Sequence, residues 1–268
     1  MNILEQIITD KRREVILKKS IIPIFQLEKS VLFERKTISL SNNLRNSNSG
    51  IIAEHKRRSP SKPNINNSFT VEEVVKGYEN AGVCGISVLT DGKYFGGSLD
   101  DLLVARATVN TPLLRKEFVV DEYQILEAKA HGADLILLIA SVLTRSQIKH
   151  LSEFAKALNL EVLLEVHDLE ELQKSIIPSL DMIGVNNRNL KTFEVSLDFS
   201  KQLAHEIPNE FVKVSESGIS SIEAINELKP FGYKGFLIGE NFMKTNNPGE
   251  SARDFIIPLA RKAGNYES

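Results

Sequence analysis

Cysteine is nearly absent: Cys84 is the single one in 268 residues. That excludes an internal disulfide framework and a Cys-rich zinc site, and it points to a reducing compartment, the cytosol by default. Long apolar runs are absent too. No stretch reaches the roughly 18 apolar residues that a membrane span needs, and the amphipathic start, MNILEQIITDKRREVILKKS, lacks the apolar core of a secretion signal. Neither sign of charge dominates. A formal net charge of -2 and an isoelectric point near 6.3 give no global pull toward nucleic acid or an anionic membrane. The five histidines, His55, His131, His150, His167 and His205, show no metal-ligand spacing. What remains, 42% hydrophobic and 25% charged, is globular material with enough apolar residues for a sizeable core.

Periodicity organises that material. Ile3, Leu4, Ile7, Ile8, Val15 and Leu17 recur near helical spacing, so residues 2–19 read as a surface-docked helix that packs rather than catalyses. The Ser- and Asn-rich stretch over 36–49 has loop composition and closes off an N-terminal helical extension, residues 1–48, packed on a main domain of residues 49–268. From there strand and helix patterns alternate. Strands are expected near 51–55, 84–89, 112–115, 134–139, 161–165, 181–185, 211–215 and 235–238. Helices are expected near 70–82, 98–109, 121–131, 144–158, 168–176, 196–206, 219–228 and 248–261. The class is α/β. Eight even βα units, with no Gly-rich dinucleotide turn after the first strand, favour a closed (βα)8 TIM barrel over an open doubly wound sheet.

In that architecture the catalytic groups stand at the C-terminal ends of strands. The first strand runs into IIAEHKRRSPS, residues 51–61, where Ile52, Glu54 and Lys56 share one face and Ala53, His55 and Arg57 the other. The third ends in Arg115, Lys116 and Glu117, the fifth in Glu165, the sixth in Asn186, Asn187 and Arg188, and the seventh in Ser215, Glu216 and Ser217. Glu54, Lys56, Lys116, Glu165 and Glu216 can thus reach one central volume. Three acids and two ammonium groups brought so close must alternate as pairs. A purely stabilising ring is the competing reading, but apolar replacements of such pairs are often neutral or better, which favours function.

Two turns carry a second signal. Glu216-Ser217-Gly218-Ile219 and Ile238-Gly239-Glu240-Asn241 present backbone amides near helix starts after the seventh and eighth strands, where this architecture binds phosphate. Glycine there lets the anion approach, and the Glu240 amide can donate while its carboxylate points outward. The basic run from Lys56 to Lys62 suits the same small anionic substrate. DGKYFGGS, residues 91–98, raises Tyr94 and Phe95 over the rim, where a ring could meet an aromatic substrate. Lys213 alternates away from Glu216, so its stem lies against the helix layer, and Cys84 packs.

The ordered set IIAEHKRRSPS, SVLTDGKYFGGS, PLLRKEF, LLEVHD, IGVNNRNLKTF, VSESGI and LIGENFM resembles the indole-3-glycerol phosphate synthase family over nearly the whole chain. The resemblance implies a carboxy-lyase of tryptophan biosynthesis. Such an enzyme converts 1-(2-carboxyphenylamino)-1-deoxyribulose 5-phosphate to indole-3-glycerol phosphate, with loss of CO2 and water and with no metal or organic cofactor. It implies Lys116 as the general acid of ring closure and Glu165 as an acid or base in dehydration. Glu54, Lys56, Asn186 and Glu216 match the other polar catalytic positions, Lys56 as a second acid and partner of the substrate carboxylate. Ser59, Phe95, Leu137 and Arg188 match substrate contacts, and Ser217, Gly218, Gly239 and Glu240 match the phosphate site. A monomer acting on a small molecule, with no nucleic-acid or membrane partner, is expected. Other readings remain: another sugar-phosphate barrel enzyme such as phosphoribosylanthranilate isomerase, against which the aromatic loop argues; a Schiff-base aldolase using Lys56 or Lys116; and a catalytically silent phosphate-binding scaffold.

Overall fold

The computed structural model describes residues 3–188 and 194–263. Three helices come first: α1 (Ile3–Ile21), α2 (Ile24–Glu28) and α3 (Leu40–Arg45). There follow β1 (Ile51–His55), α4 (Val71–Ala81), β2 (Gly85–Leu89), α5 (Gly92–Phe95), α6 (Leu99–Thr108), β3 (Leu113–Lys116), α7 (Glu122–Ala130), β4 (Leu135–Ile139), α8 (Arg145–Ala157) and β5 (Glu161–Val166). The chain continues with α9 (Leu169–Ser175), β6 (Met182–Asn186), α10 (Asp198–Leu203), β7 (Val212–Glu216), α11 (Ile222–Leu228), β8 (Tyr233–Ile238), α12 (Glu240–Met243) and α13 (Pro248–Ala263). All strand pairings are parallel and run in sequence order until β8 closes on β1, which makes a TIM barrel. No helix among the described residues is long and apolar enough to cross a membrane.

Strand alternation separates two cores. Ile52, Leu114, Leu135, Leu137, Leu163, Met182, Val212, Val214 and Leu237 fill the barrel. Their neighbours, such as Ala53, Leu113, Ile136, Leu164, Ile183 and Phe236, pack outward under the helices. Helix starts are fixed by side chains that accept orphan amide hydrogens: Thr70 with Glu73 opens α4, and Thr144 with Gln147 opens α8, each as a reciprocal pair.

The expected loop over 36–49 is corrected, because its middle is α3 and α3 is the floor of the barrel. Leu40 and Leu44 are fully buried among the interior side chains. A Cβ on Gly85 would stand 2.5 Å from Leu40 Cδ1, and one on Gly235 3.1 Å from Leu44 Cδ1, so these glycines admit the helix. Ser39 caps α3, and Glu161 on β5 accepts from the Leu40 and Ser41 amides at 2.8 and 3.0 Å. The helix depends on a carboxylate about 120 residues away, which local composition cannot show. With the floor filled, the opening lies at the C-terminal ends of the strands. There the expected helix over 219–228 also starts late: α11 begins at Ile222, so Ser217 and Gly218 stand in a loop before the helix rather than on its first turn.

Candidate active site

Register brings the interior ends of the odd strands together. Lys116, the last residue of β3, reaches Glu216 Oε2 at 3.0 Å and Glu165 Oε2 at 3.3 Å. Lys56 leaves β1 and pairs with Glu54 Oε1 at 2.7 Å, and Glu54 also accepts weakly from Ser87 Oγ at 3.4 Å. Asn186 donates to Glu165 Oε1 at 3.1 Å. The acids and ammonium groups thus stand as an alternating ring, open on one side to solvent through the partly exposed Lys56, Lys116 and Asn186. Glycines make room for it. A Cβ on Gly184 would meet Glu216 Oε1 at 2.3 Å, and one on Gly239 would meet Glu54 Oε1 at 2.5 Å. Gly239 is therefore needed for Glu54 to pass, a different reason from the anion approach expected of it.

Burial disfavours charge on Lys116, Glu54, Glu165 and Glu216, and its balance with their partners differs from one to the next. For Lys116, Glu216, Glu165 and Glu54 outweigh burial and hold the ammonium above its ordinary range. Burial raises Glu54, but Lys56 and Lys116 leave it below the usual carboxylate range. Glu165 is likewise held low, by Lys116 and His167 against burial. Glu216 goes the other way. Burial, with Glu165 adding to it, overrides Lys116 and pushes Glu216 up to about 7. Its Oε1 is buried without a hydrogen-bond partner. One ammonium cannot neutralise two carboxylates equally, and of the two Glu216 is the more easily protonated.

Around the ring stand an aromatic wall, a pinned loop and two turns. Phe95 on α5 faces Phe118, with centroids 6.0 Å apart, and Phe118 packs against the barrel interior that includes Leu137. Tyr94 does not rise over the rim as expected: Asp91 caps α5, and the Tyr94 hydroxyl turns to Asp10 on α1. The loop after β1 is held on both sides. Arg57 grips Asp101 and the Gly96 carbonyl, Arg58 donates to the carbonyls of Gly92 and Lys93, Lys62 pairs with Glu240, and Asn66 donates to the Met243 carbonyl. Ser59 closes a turn with Lys62 inside that loop. Arg188 follows β6, its amide donating to Asn186 Oδ1; burial raises Glu240, but Lys62, with Lys56 and Arg188 adding to it, leaves that carboxyl below its usual range. Ser217 and Gly218 adopt successive left-handed conformations, φ 66° and 75°, and Val195 lies over Gly218 so closely that a Cβ would collide.

The indole-3-glycerol phosphate synthase family model matches residues 4–255. The chain belongs to the indole-3-glycerol phosphate synthase family. The protein of that name from Bacteroides thetaiotaomicron is 49% identical over 255 residues, which covers 95% of this chain and 98% of the relative. The indole-3-glycerol phosphate synthase of Koribacter versatilis is 42% identical, covering 94% and 98%, and that of Aquifex aeolicus 47% identical, covering 77% and 80%. Among solved structures, KGPDC from Streptococcus mutans superposes with a TM-score of 0.61 at 17% identity, covering 79% of this chain and 97% of its own. Thiamine phosphate pyrophosphorylase from Pyrococcus furiosus gives 0.59 at 16%, covering 84% and 98%. These two share the barrel fold only.

Several residues around this synthase-family ring lay outside the sequence reading of the site. His167 has no metal-ligand spacing, and the alternation of β5 puts it on the same inward face as Glu165. Asn187 turns outward and fully buried, donates to Ser215 Oγ at 2.9 Å and to the Ser217 carbonyl at 3.0 Å, and so holds the turn at Ser217. Lys11 on α1 is buried and contacts Asp91 at 2.9 Å, the residue that caps α5, and Glu117 at 3.1 Å, the residue after Lys116. Arg115 and Glu117, counted at the rim, point into the helix layer: Arg115 reaches Glu127 at 3.0 Å, and Glu117 accepts from Thr90 at 2.8 Å. Lys213 lies against that layer as expected, donating to the Ala204 carbonyl. Part of the motif after β6, residues 189–193, lies outside the described residues.

Proposed function

We propose that the protein closes the indole ring of 1-(2-carboxyphenylamino)-1-deoxyribulose 5-phosphate, releasing CO2 and water and yielding indole-3-glycerol phosphate. The observation that carries this is the Lys116 ammonium held between Glu165 and Glu216 at the mouth of the barrel, in a chain of that synthase family. In the first step the aromatic carbon that bears the carboxylate attacks the ketone carbon. Lys116 hydrogen-bonds the ketone oxygen as negative charge develops and supplies its proton. The iminium formed on closure then draws the electrons of the breaking bond to the carboxylate, and CO2 leaves. Loss of the new hydroxyl as water needs a second acid. Lys56 takes that part after pairing with the substrate carboxylate, protonating the hydroxyl that leaves as water, while Glu165, oriented by Asn186, accepts the proton lost from the neighbouring ring CH2 as the double bond forms. Glu54 and Glu216 hold the two ammonium groups in place.

Phe95, Phe118 and Leu137 supply a wall for the aromatic ring, which distinguishes this reading from an isomerase of sugar phosphates. Ser59 and Arg188 approach the substrate from the loops, and the amides at Ser217, Gly218, Gly239 and Glu240 take its phosphate. Residues 1–48 serve as an extension packed on the barrel of residues 49–268. The protein acts in the cytosol as a monomer, on a small molecule rather than nucleic acid, and uses no metal or organic cofactor. Indole fluorescence after addition of the carboxyphenylamino sugar phosphate, in excess chelator, tests the reading. Consumption of substrate without an indole product would overturn it. Inorganic phosphate is expected to compete with substrate, and purely noncompetitive behaviour would remove the phosphate from those two turns.

A further inference from the structure

His167 continues the inward face of β5 one position beyond the last strand residue, and it is held between two carboxylates from different elements. Its Nδ1 stands 3.1 Å from Glu171 Oε2, and its Nε2 stands 3.3 Å from Glu165 Oε1. The second contact is an ion-pair approach, not an aligned hydrogen bond. Glu171 is itself immobilised: its amide donates to Asp168 at 2.8 Å as α9 starts, and its Oε2 also accepts the His167 amide at 2.8 Å. A neutral imidazole would set an uncharged ring between two carboxylates, whereas the imidazolium places an N–H on each side and a positive charge between them. Burial opposes that charge, but Glu165 and Glu171 outweigh it and push the ring up to about 10.

The clamp divides the two oxygens of Glu165. Oε1 faces His167 and accepts from Asn186, while Oε2 is left to Lys116. Glu216 competes for the same ammonium at 3.0 Å. We propose that His167 is a positioning residue for Glu165: clamped by Glu171, its imidazolium sits against one oxygen of Glu165 and so fixes which oxygen turns to Lys116. The charged groups that face the pair are Glu171 from α9, Lys116 from β3 and Glu216 from β7, with Glu54 acting on them from β1 through Lys116. The inference deepens the proposed function and rests on Glu165 as the group that exchanges protons with the substrate.

The test is the pH profile of His167→Gln beside Glu165→Gln. For His167→Gln, kcat is expected to fall about tenfold with KM within about twofold, and the acid limb of kcat/KM to move up by about one pH unit. A profile that superimposes on that of the unsubstituted protein would overturn the clamp. Glu165→Gln examines the parent reading separately, since full turnover in it removes Glu165 from the chemistry whatever His167 does. Nitrogen-15 NMR of the unsubstituted protein decides the clamp without any variant. Both His167 nitrogens protonated at a pH of about 8 are expected from the raised pKa, and a neutral tautomer there would sink the proposal.

Discussion

Lys116 and Lys56 lie on neighbouring odd strands and carry the same charge, but their surroundings assign them different work. Lys116 is shared by two carboxylates at the centre of the ring, whereas Lys56 pairs with Glu54 and borders the basic loop. A lost proton donor costs turnover, about 10²-fold to 10⁴-fold, and a lost binding charge appears chiefly in KM. Lys116→Met is expected to bind product nearly normally and fail to close the ring. Lys56→Met is expected to lose affinity and accumulate a closed, undehydrated intermediate, visible by rapid-quench chromatography. Finding that intermediate with Lys116→Met instead would reverse the assignment. His55, one residue from Glu54 on the opposite face, makes a stability prediction. Burial, with Arg57 adding to it, depresses its pKa from 6.5 to about 4. Between those values the unfolded chain binds a proton that the folded chain refuses, so stability falls as pH drops through that window. At about 1.4 kcal/mol per unit the loss approaches 3 kcal/mol at the acid end. His55→Gln should show a shallower acid slope in urea midpoints, and parallel slopes would count against the shift.

At the scale of elements, α1 is tied to the mouth of the barrel by one buried lysine. Lys11 falls on the apolar stripe of Ile7, Ile8 and Val15, where a cation needs partners, and it finds Asp91, Glu117 and Glu14. Lys11→Met would leave Asp91 buried without its ammonium partner and Glu117 with Arg115 at 3.7 Å as its remaining cation, at a cost of about 3–5 kcal/mol. Because Asp91 caps α5, the loss should also loosen Phe95. Urea unfolding together with hydrogen exchange at Tyr94 and Phe95 would read both effects, and unchanged exchange with lost stability would separate α1 from the aromatic wall. The position of Lys11 within its stripe was a legible signal. The ring was legible for a similar reason, since period-2 alternation alone points Lys116 and Glu216 inward and Arg115 and Lys213 outward. What the sequence hid depends on distant partners. The helix α3 needs Glu161 from β5, Tyr94 turns away because Asp10 waits on α1, and Gly239 is small because Glu54 passes it. None of these can be read from a window of neighbouring residues.

For the whole molecule, the open question is whether α1 and α2 face water or a second copy. They expose Ile16, Leu17, Ile21 and Phe25, each more than half accessible, and a patch of that kind can mark an interface. The charges around it decide against self-association. On α1, Arg12 and Arg13 stand one turn before Ile16 and Leu17 on the same exposed faces, and Lys19 is exposed just beyond them. A two-fold contact sets the same patch on both copies against itself, so these basic residues would meet their own equivalents with few acids between them. A stable dimer also buries on the order of 1,200–2,000 Å², more than a few apolar side chains interrupted by cations can supply. The protein is therefore expected to elute as a species of 30.0 kDa at micromolar concentration in light scattering. Doubling of that mass, abolished by Ile16→Glu together with Leu17→Glu, would show that the α1 face is an interface and that the charge argument fails.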